Sequence, residues 1–143
     1  MQISVIIAAA GSACRMGCPG NKALLPLMGQ PVLSWSLQLF EQTPEVTEII
    51  IAARPEDMDE IKAIVSHYPK VKALTAGGNS RAASVQHALA EVAANCSHIA
   101  VHDAARPLLS PADWRALLTE AAQGPEGAIL ACPARDIIRS HDG

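Results

Sequence analysis

Two cations, Arg15 and Lys22, stand in a stretch of small residues that runs Ala9-Ala10-Gly11-Ser12-Ala13-Cys14-Arg15-Met16-Gly17-Cys18-Pro19-Gly20-Asn21-Lys22. Small side chains let backbone N–H groups approach an anion closely, and two cations in one loop suit a polyphosphate. The stretch is not a P-loop, because Gly17 is followed by Cys18 and not by Lys and then Ser or Thr. It is not a dinucleotide fingerprint either, since Ala13 stands where the second glycine should be. Taken alone, it also describes a Gly/Pro-rich surface loop with two solvated charges.

A second segment, Ala76-Gly77-Gly78-Asn79-Ser80-Arg81-Ala82-Ala83-Ser84-Val85, is a glycine turn feeding a helix. Free N–H groups at that helix start, with Ser84 and Arg81, suit a base, a ribose or a phosphate. The plain alternative is a capped helix with Arg81 in a surface ion pair. A third segment, His102-Asp103-Ala104-Ala105-Arg106-Pro107, sets a carboxylate and a guanidinium three residues apart. Asp103 suits Mg²⁺ or ribose hydroxyls, and Arg106 suits a bidentate contact to phosphate; the alternative is a turn that Asp103 caps. His67, His87 and His141 carry less, and Cys132 reads as an inert core thiol inside an apolar strand.

These segments need elements to position them. Apolar β-branched runs predict strands over Ile3–Ala10, Glu48–Ala53, Val71–Thr75, His98–His102 and Gly127–Cys132. The first is almost wholly apolar, as a strand covered on both faces should be. Four helices lie between them. Pro31 suits the first turn of one with Leu33, Leu37 and Phe40 inward. Pro55 opens the next, with Met58, Ile61 and Val65 inward and Glu56, Asp57 and Asp59 near its positive end. Ser80 caps a helix expected to bury Val85, Leu89 and Val92, and Ser110-Pro111-Ala112-Asp113 resembles a capping box ahead of Trp114, Leu117, Leu118 and Ala121. Alternating strands and helices predict an α/β fold, a mostly parallel sheet with helices on both faces, in which ligands bind beyond the carboxyl ends of the strands. All three chemical segments fall there.

Composition closes other doors. At 143 residues the length suits one domain, 1–143, and 50% hydrophobic residues exclude intrinsic disorder. Four aromatic residues against 26 alanines offer no platform for stacking single-stranded nucleic acid. A net charge of −3 and a pI near 5.9 lack the basic footprint of a nucleic-acid binder. No apolar run is long enough to span a membrane, and the N-terminal run lacks a basic leader, so a cytoplasmic location with reduced thiols at Cys14, Cys18, Cys96 and Cys132 is expected. Cys14 and Cys18 have no second pair at zinc spacing.

Read in order, Ala-Ala-Gly-x-x-x-Arg-Met followed six residues on by Lys, then Gly-Gly-x-x-Arg-x-x-Ser-Val, then His-Asp-Ala-Ala-Arg-Pro, the chain resembles the 2-C-methyl-D-erythritol 4-phosphate cytidylyltransferases of the non-mevalonate isoprenoid pathway. The resemblance runs through nearly the whole sequence and implies a Rossmann-like nucleotidyltransferase sheet. It implies that the sugar phosphate attacks the α-phosphorus of CTP, with Mg²⁺, and that pyrophosphate leaves. Arg15 and Lys22 match the family's catalytic pair. Ala9, Ala10 and Gly11, with Gly78, Asn79 and Ser84, match positions that hold cytosine and ribose, while Asp103, Ala104 and Arg106 match the segment near ribose, metal and phosphates, with Asp103 as a metal ligand.

This chain departs from the family pattern at several places. Ala8, Ala13 and Asn21 stand where Pro, Gly and Pro are frequent, Asn79 replaces a frequent Asp, and Ile137 replaces a Thr that serves the sugar phosphate of a neighbouring subunit. Family members are longer, with a β-arm that builds a homodimer, so the sequence reads as a C-terminally truncated, N-terminal piece. Two further readings stand beside the first. One is a cytidylyltransferase for ribitol 5-phosphate, disfavoured by Ala105 where those relatives often carry Val. The other is a CTP-binding fragment without turnover.

Overall fold

Ile3–Ala9 forms the first strand, β1, and all but one of its residues are buried. A strand this uniformly apolar must be covered on both faces and flanked on both edges, and β1 is. In the computed structural model, which describes residues 1–11, 20–124 and 126–133, β1 lies between two parallel neighbours, Val46–Ala53 and His98–Asp103. Numbered along the chain, the elements are β1, a short antiparallel hairpin of β2 (Pro26–Leu27) and β3 (Gln30–Pro31), α1 (Val32–Glu41), β4 (Val46–Ala53), α2 (Met58–Val65), β5 (Val71–Ala76), α3 (Arg81–Leu89), β6 (His98–Asp103) and α4 (Pro111–Ala121). The main sheet has the order β5-β4-β1-β6 and is parallel throughout.

That order contains a reversal. From β1 the chain steps to β4 and β5 on one side, then crosses back to place β6 on the other. Helices leaving β1 and returning to β6 diverge above the carboxyl ends of these two strands, which leaves a crevice there. The register sets Ala8 beside Asp103 and Ala9 beside Ala53, so the strand ends predicted to carry ligand groups finish at one level.

Alternation along the strands gives each face its helix. Ile6, Ile50 and Ala52 pack with Ala88 of α3, joined by Ala73, Val85 and Val92. His102, beside Ile7 on the opposite face, reaches α1: its Nε2 lies 2.9 Å from Ser36 Oγ and its ring stands edge-on to Phe40 at 5.2 Å. A polar pair is buried at the start of β1 and β4. Ser4 Oγ donates to Glu48 Oε1, which also accepts from Ala93 N at 2.8 Å, so the buried carboxylate is bonded where a lone one would be costly.

Two expectations are corrected. Leu89 is 41% exposed, and α3 instead turns Ser84 and Ala88 inward, because the buried stripe runs i, i+4 through those two residues and leaves Leu89, the last residue of the helix, to one side. Gly127–Cys132 is not a strand: its described backbone enters no ladder, and Ile129 is 87% exposed. An apolar run becomes a strand only where a neighbour takes up its N–H and C=O groups, and none does among the described residues. The Arg135–Arg139 segment, with Ile137, lies outside the described residues.

The chain divides into two compact units, Met1–Leu109 and Ser110–Gly143. In the second, Ser110 caps α4 by accepting from Asp113 N at 3.1 Å, with Pro111 at the first helical position and Trp114 and Leu118 buried. No helix among the described residues is long and apolar enough to cross a membrane.

Candidate functional site

The crevice at the reversal is a cleft of about 570 Å³ in the first unit. Its floor is the end of β1 and the residues after it, Ala8 to Gly11. One wall is the Asn21–Ala23 turn, another the Gly78–Ser84 start of α3, and the last the Asp103–Arg106 turn after β6. Of the residues singled out in the sequence, Ala9, Ala10, Gly11, Lys22, Gly78, Asn79, Ser84, Asp103, Ala104 and Arg106 all line it. Arg15, Cys14 and Cys18 lie outside the described residues.

Local chemistry fixes each wall. The β5–α3 turn continues the sheet, since Gly77 N donates to Ala53 O at 2.7 Å. Ser80 then caps α3, its Oγ accepting from Ala83 N at 3.0 Å. Ser84 Oγ donates to Ser80 O at 2.9 Å and accepts from Gly78 N at 3.1 Å. The buried hydroxyl has thus committed its proton, and what it offers a ligand is an acceptor lone pair. Ala104 N bonds Ala8 O at 3.0 Å, carrying the β1–β6 ladder one residue past β6, and Arg106 N closes the turn on Asp103 O at 3.0 Å.

The charges are lopsided. Among the described residues, Lys22, Arg81 and Arg106 face the cleft with one carboxylate, Asp103, in a chain whose net charge is −3. Asp103 stands between the arginines, accepting from Arg81 Nε at 2.8 Å and from Arg106 Nε at 2.9 Å. Partial burial pushes its carboxyl upward, but Arg81 and Arg106 outweigh that and hold it below the ordinary carboxylate range. Lys22 has no carboxylate partner among the described residues. With the start of α3 adding its positive dipole end, the cleft is built for a polyanion.

A resident divalent ion fits this set poorly. Hard cations take six or more oxygens. Both oxygens of the single carboxylate are already bonded to guanidinium groups, and no cluster of three metal-ligating side chains exists among the described residues.

Arg81 forms the surface ion pair that was the plain alternative for it, with Asp103 as its partner. Two lining residues have roles that sequence reading did not assign. Ser80, read only as a cap, also orients Ser84. Asn21, noted only as a departure from a frequent proline, is 6% exposed and caps the 3-10 turn Lys22–Leu24 that carries Lys22. Its position directly before Lys22 was the available signal.

An open parallel sheet with a cationic cleft over its β1–β6 strand ends defines an α/β protein with the Rossmann-like nucleotidyltransferase fold, and its backbone matches one such structure closely. That structure, a crystallised 4-diphosphocytidyl-2C-methyl-D-erythritol synthase, superposes with a TM-score of 0.79 at 28% identity, over 99% of this chain and 65% of its own. The family model for IspD, 2-C-methyl-D-erythritol 4-phosphate cytidylyltransferase, matches residues 3–143, and the chain belongs to that family. Proteins of that name from Symbiobacterium thermophilum and Shewanella oneidensis are 44% and 42% identical to it, each over 96% of this chain. The chain spans 57% and 54% of the length of these two relatives.

Proposed function

We propose that this chain forms the nucleotide-binding part of an enzyme that transfers a cytidylyl group from CTP to 2-C-methyl-D-erythritol 4-phosphate. The products are 4-(cytidine 5'-diphospho)-2-C-methyl-D-erythritol and pyrophosphate, in isoprenoid precursor synthesis. The observation that carries the proposal is the cationic cleft at the β1–β6 strand ends in a chain of this family.

In this reaction a phosphate oxygen of the sugar phosphate bonds to the α-phosphorus of CTP. The bond from that phosphorus to the bridging oxygen breaks, and pyrophosphate leaves with the electron pair. Charge grows on the non-bridging oxygens in transit, and cations already in place meet it with little reorganisation. Lys22, with Arg15, takes that role. Ala9, Ala10, Gly11, Gly78, Asn79 and Ser84 hold cytosine and ribose, largely through backbone groups, while Asp103, Ala104 and Arg106 attend the ribose and phosphates. A divalent cation, Mg²⁺ in this reading, enters with the triphosphate. The homodimer and cytoplasmic location implied by the family belong to the same proposal.

Calorimetric titration with CTP, UTP and ATP tests the nucleotide assignment. Saturable binding that prefers CTP is expected. No binding by a chain that circular dichroism shows to be folded overturns it. Pyrophosphate release with 2-C-methyl-D-erythritol 4-phosphate, set against ribitol 5-phosphate, tests the acceptor.

A further inference from the structure

Behind Lys22, Arg54, Asp57 and Asn21 form a connected chain of hydrogen bonds. Arg54 grips the Asp57 carboxylate with Nε at 2.7 Å from Oδ2 and Nη2 at 2.9 Å from Oδ1. Asn21 Nδ2 donates to Asp57 Oδ2 at 2.8 Å and to Ala9 O at 2.7 Å, and Asn21 Oδ1 accepts from Ala23 N at 3.0 Å. Asp57 is 7% exposed. It occupies the N-cap position of α2 yet caps nothing there. An aspartate at that place ordinarily accepts an N–H from the helix; this one is turned toward Asn21.

The arrangement has a logic of donors and acceptors. A carboxylate can only accept, so it dictates which end of the Asn21 amide faces it. Turning the amide over would set Oδ1 against the Asp57 carboxylate and the Ala9 carbonyl, with Nδ2 against Ala23 N–H. Each bond would become a clash of like groups. The orientation that Asp57 enforces together with the Ala9 carbonyl leaves Oδ1 to cap the turn carrying Lys22, and it fastens that turn to the end of β1. Asp57 does not line the cleft.

We infer that Asp57 is a positioning residue, which orients the Asn21 amide and thereby holds the Lys22 turn against the end of β1, where the lysine can serve a triphosphate. This rests on the CTP reading of the cleft. It assigns to a buried carboxylate, 36 residues from Asn21 in sequence, an effect on the phosphate side of binding alone.

The test uses the 143-residue chain and two ligands, CTP by calorimetry and cytidine by chemical-shift titration. Asp57→Asn keeps the volume but removes an acceptor. Asn21→Ser keeps the cap on Ala23 and leaves the Arg54–Asp57 pair intact, so it serves if Asp57→Asn does not fold. Either variant should raise the Kd for CTP about tenfold, the scale of one lost charge-assisted hydrogen bond, and that for cytidine by less than about twofold. In a Lys22→Ala background, either should add less than about twofold, because both changes act through one group. Unchanged CTP affinity, equal weakening of cytidine, or full additivity with Lys22→Ala overturns the inference while leaving the CTP reading in place. A wild-type chain that binds no CTP overturns both.

Discussion

Gly77 packs against the side chain of Ala10 so closely that a Cβ placed on residue 77 would stand 2.2 Å from the Ala10 Cβ and 3.1 Å from Ser84 Oγ. The turn after β5 and the segment after β1 are thus in contact at the back of the cleft. Gly78 is equally confined, by the Ala83 Cβ at 2.5 Å. Space, not an unusual backbone conformation, requires glycine at both positions.

Gly77→Ala should therefore destabilise the protein by about 1–3 kcal/mol, the usual cost of overpacking a well-fitted site. It should also widen the cleft between Ala10 and Ser84. Urea denaturation reads the first effect and CTP titration the second. A variant as stable as wild type would show that the two segments separate freely.

Removal of either proposed catalytic cation should act on the chemical step. In an active enzyme carrying this site, Lys22→Ala or Arg15→Met should lower kcat by about 10²–10³, as other losses of a charge-stabilising donor do. Steady-state kinetics separate the readings: an unchanged kcat with a raised KM would assign the residue to ground-state binding.

His102 should give the fold a pH-dependent weakness. Burial against α1 pushes its imidazole below the ordinary value, and the backbone contact with Arg106 and the nearby Asp103 carboxylate only partly oppose this. The unfolded chain binds the proton more readily, so stability should fall as pH drops from about 6.5 toward the lower folded value, then level off. His102→Gln should abolish that slope, whatever it does to the baseline. Urea midpoints measured from pH 7.5 downward check it.

The carboxylates act in a more acidic window. Burial raises the Asp57 carboxyl, but the hydrogen bonds from Arg54 and Asn21 and the Arg54 charge bring it below its ordinary value, as the two arginines do for Asp103. A depressed folded pKa stabilises above the unfolded value of about 3.9 and is lost as pH falls through the folded one. Asp57→Asn and Asp103→Asn should each flatten the acid limb of the stability curve below about pH 4. Acid titration followed by circular dichroism would expose an unaltered limb.

Much of this was legible in the chain. Four of the five expected strands form within two residues of their expected limits, because runs such as Ile49-Ile50-Ile51 have only one comfortable place, inside a covered sheet. Ser80 and Ser110 cap the helices assigned to them. The hairpin at Pro26–Pro31 was not foreseen, since its two strands are too short to show alternation. The failures at Leu89 and Gly127–Cys132 share a cause. Side-chain polarity says that a residue would gain from burial, and not whether another surface is there to bury it.

The α/β class, the segments that would meet a ligand and the family likeness are all readable along the chain, since strand ends, glycine turns and cations are local features written in consecutive residues. The folded molecule, not the order of elements, sets which side of β1 receives β6, and with it which walls face each other across the cleft. It alone decided that Arg81 and Arg106 share Asp103, and that Asn21 answers to Asp57. The Arg81–Asp103 and Asn21–Asp57 pairings join residues 22 and 36 positions apart. They exist because parallel crossovers bring the carboxyl ends of the strands to one end of the sheet, and no local period records where a crossover lands.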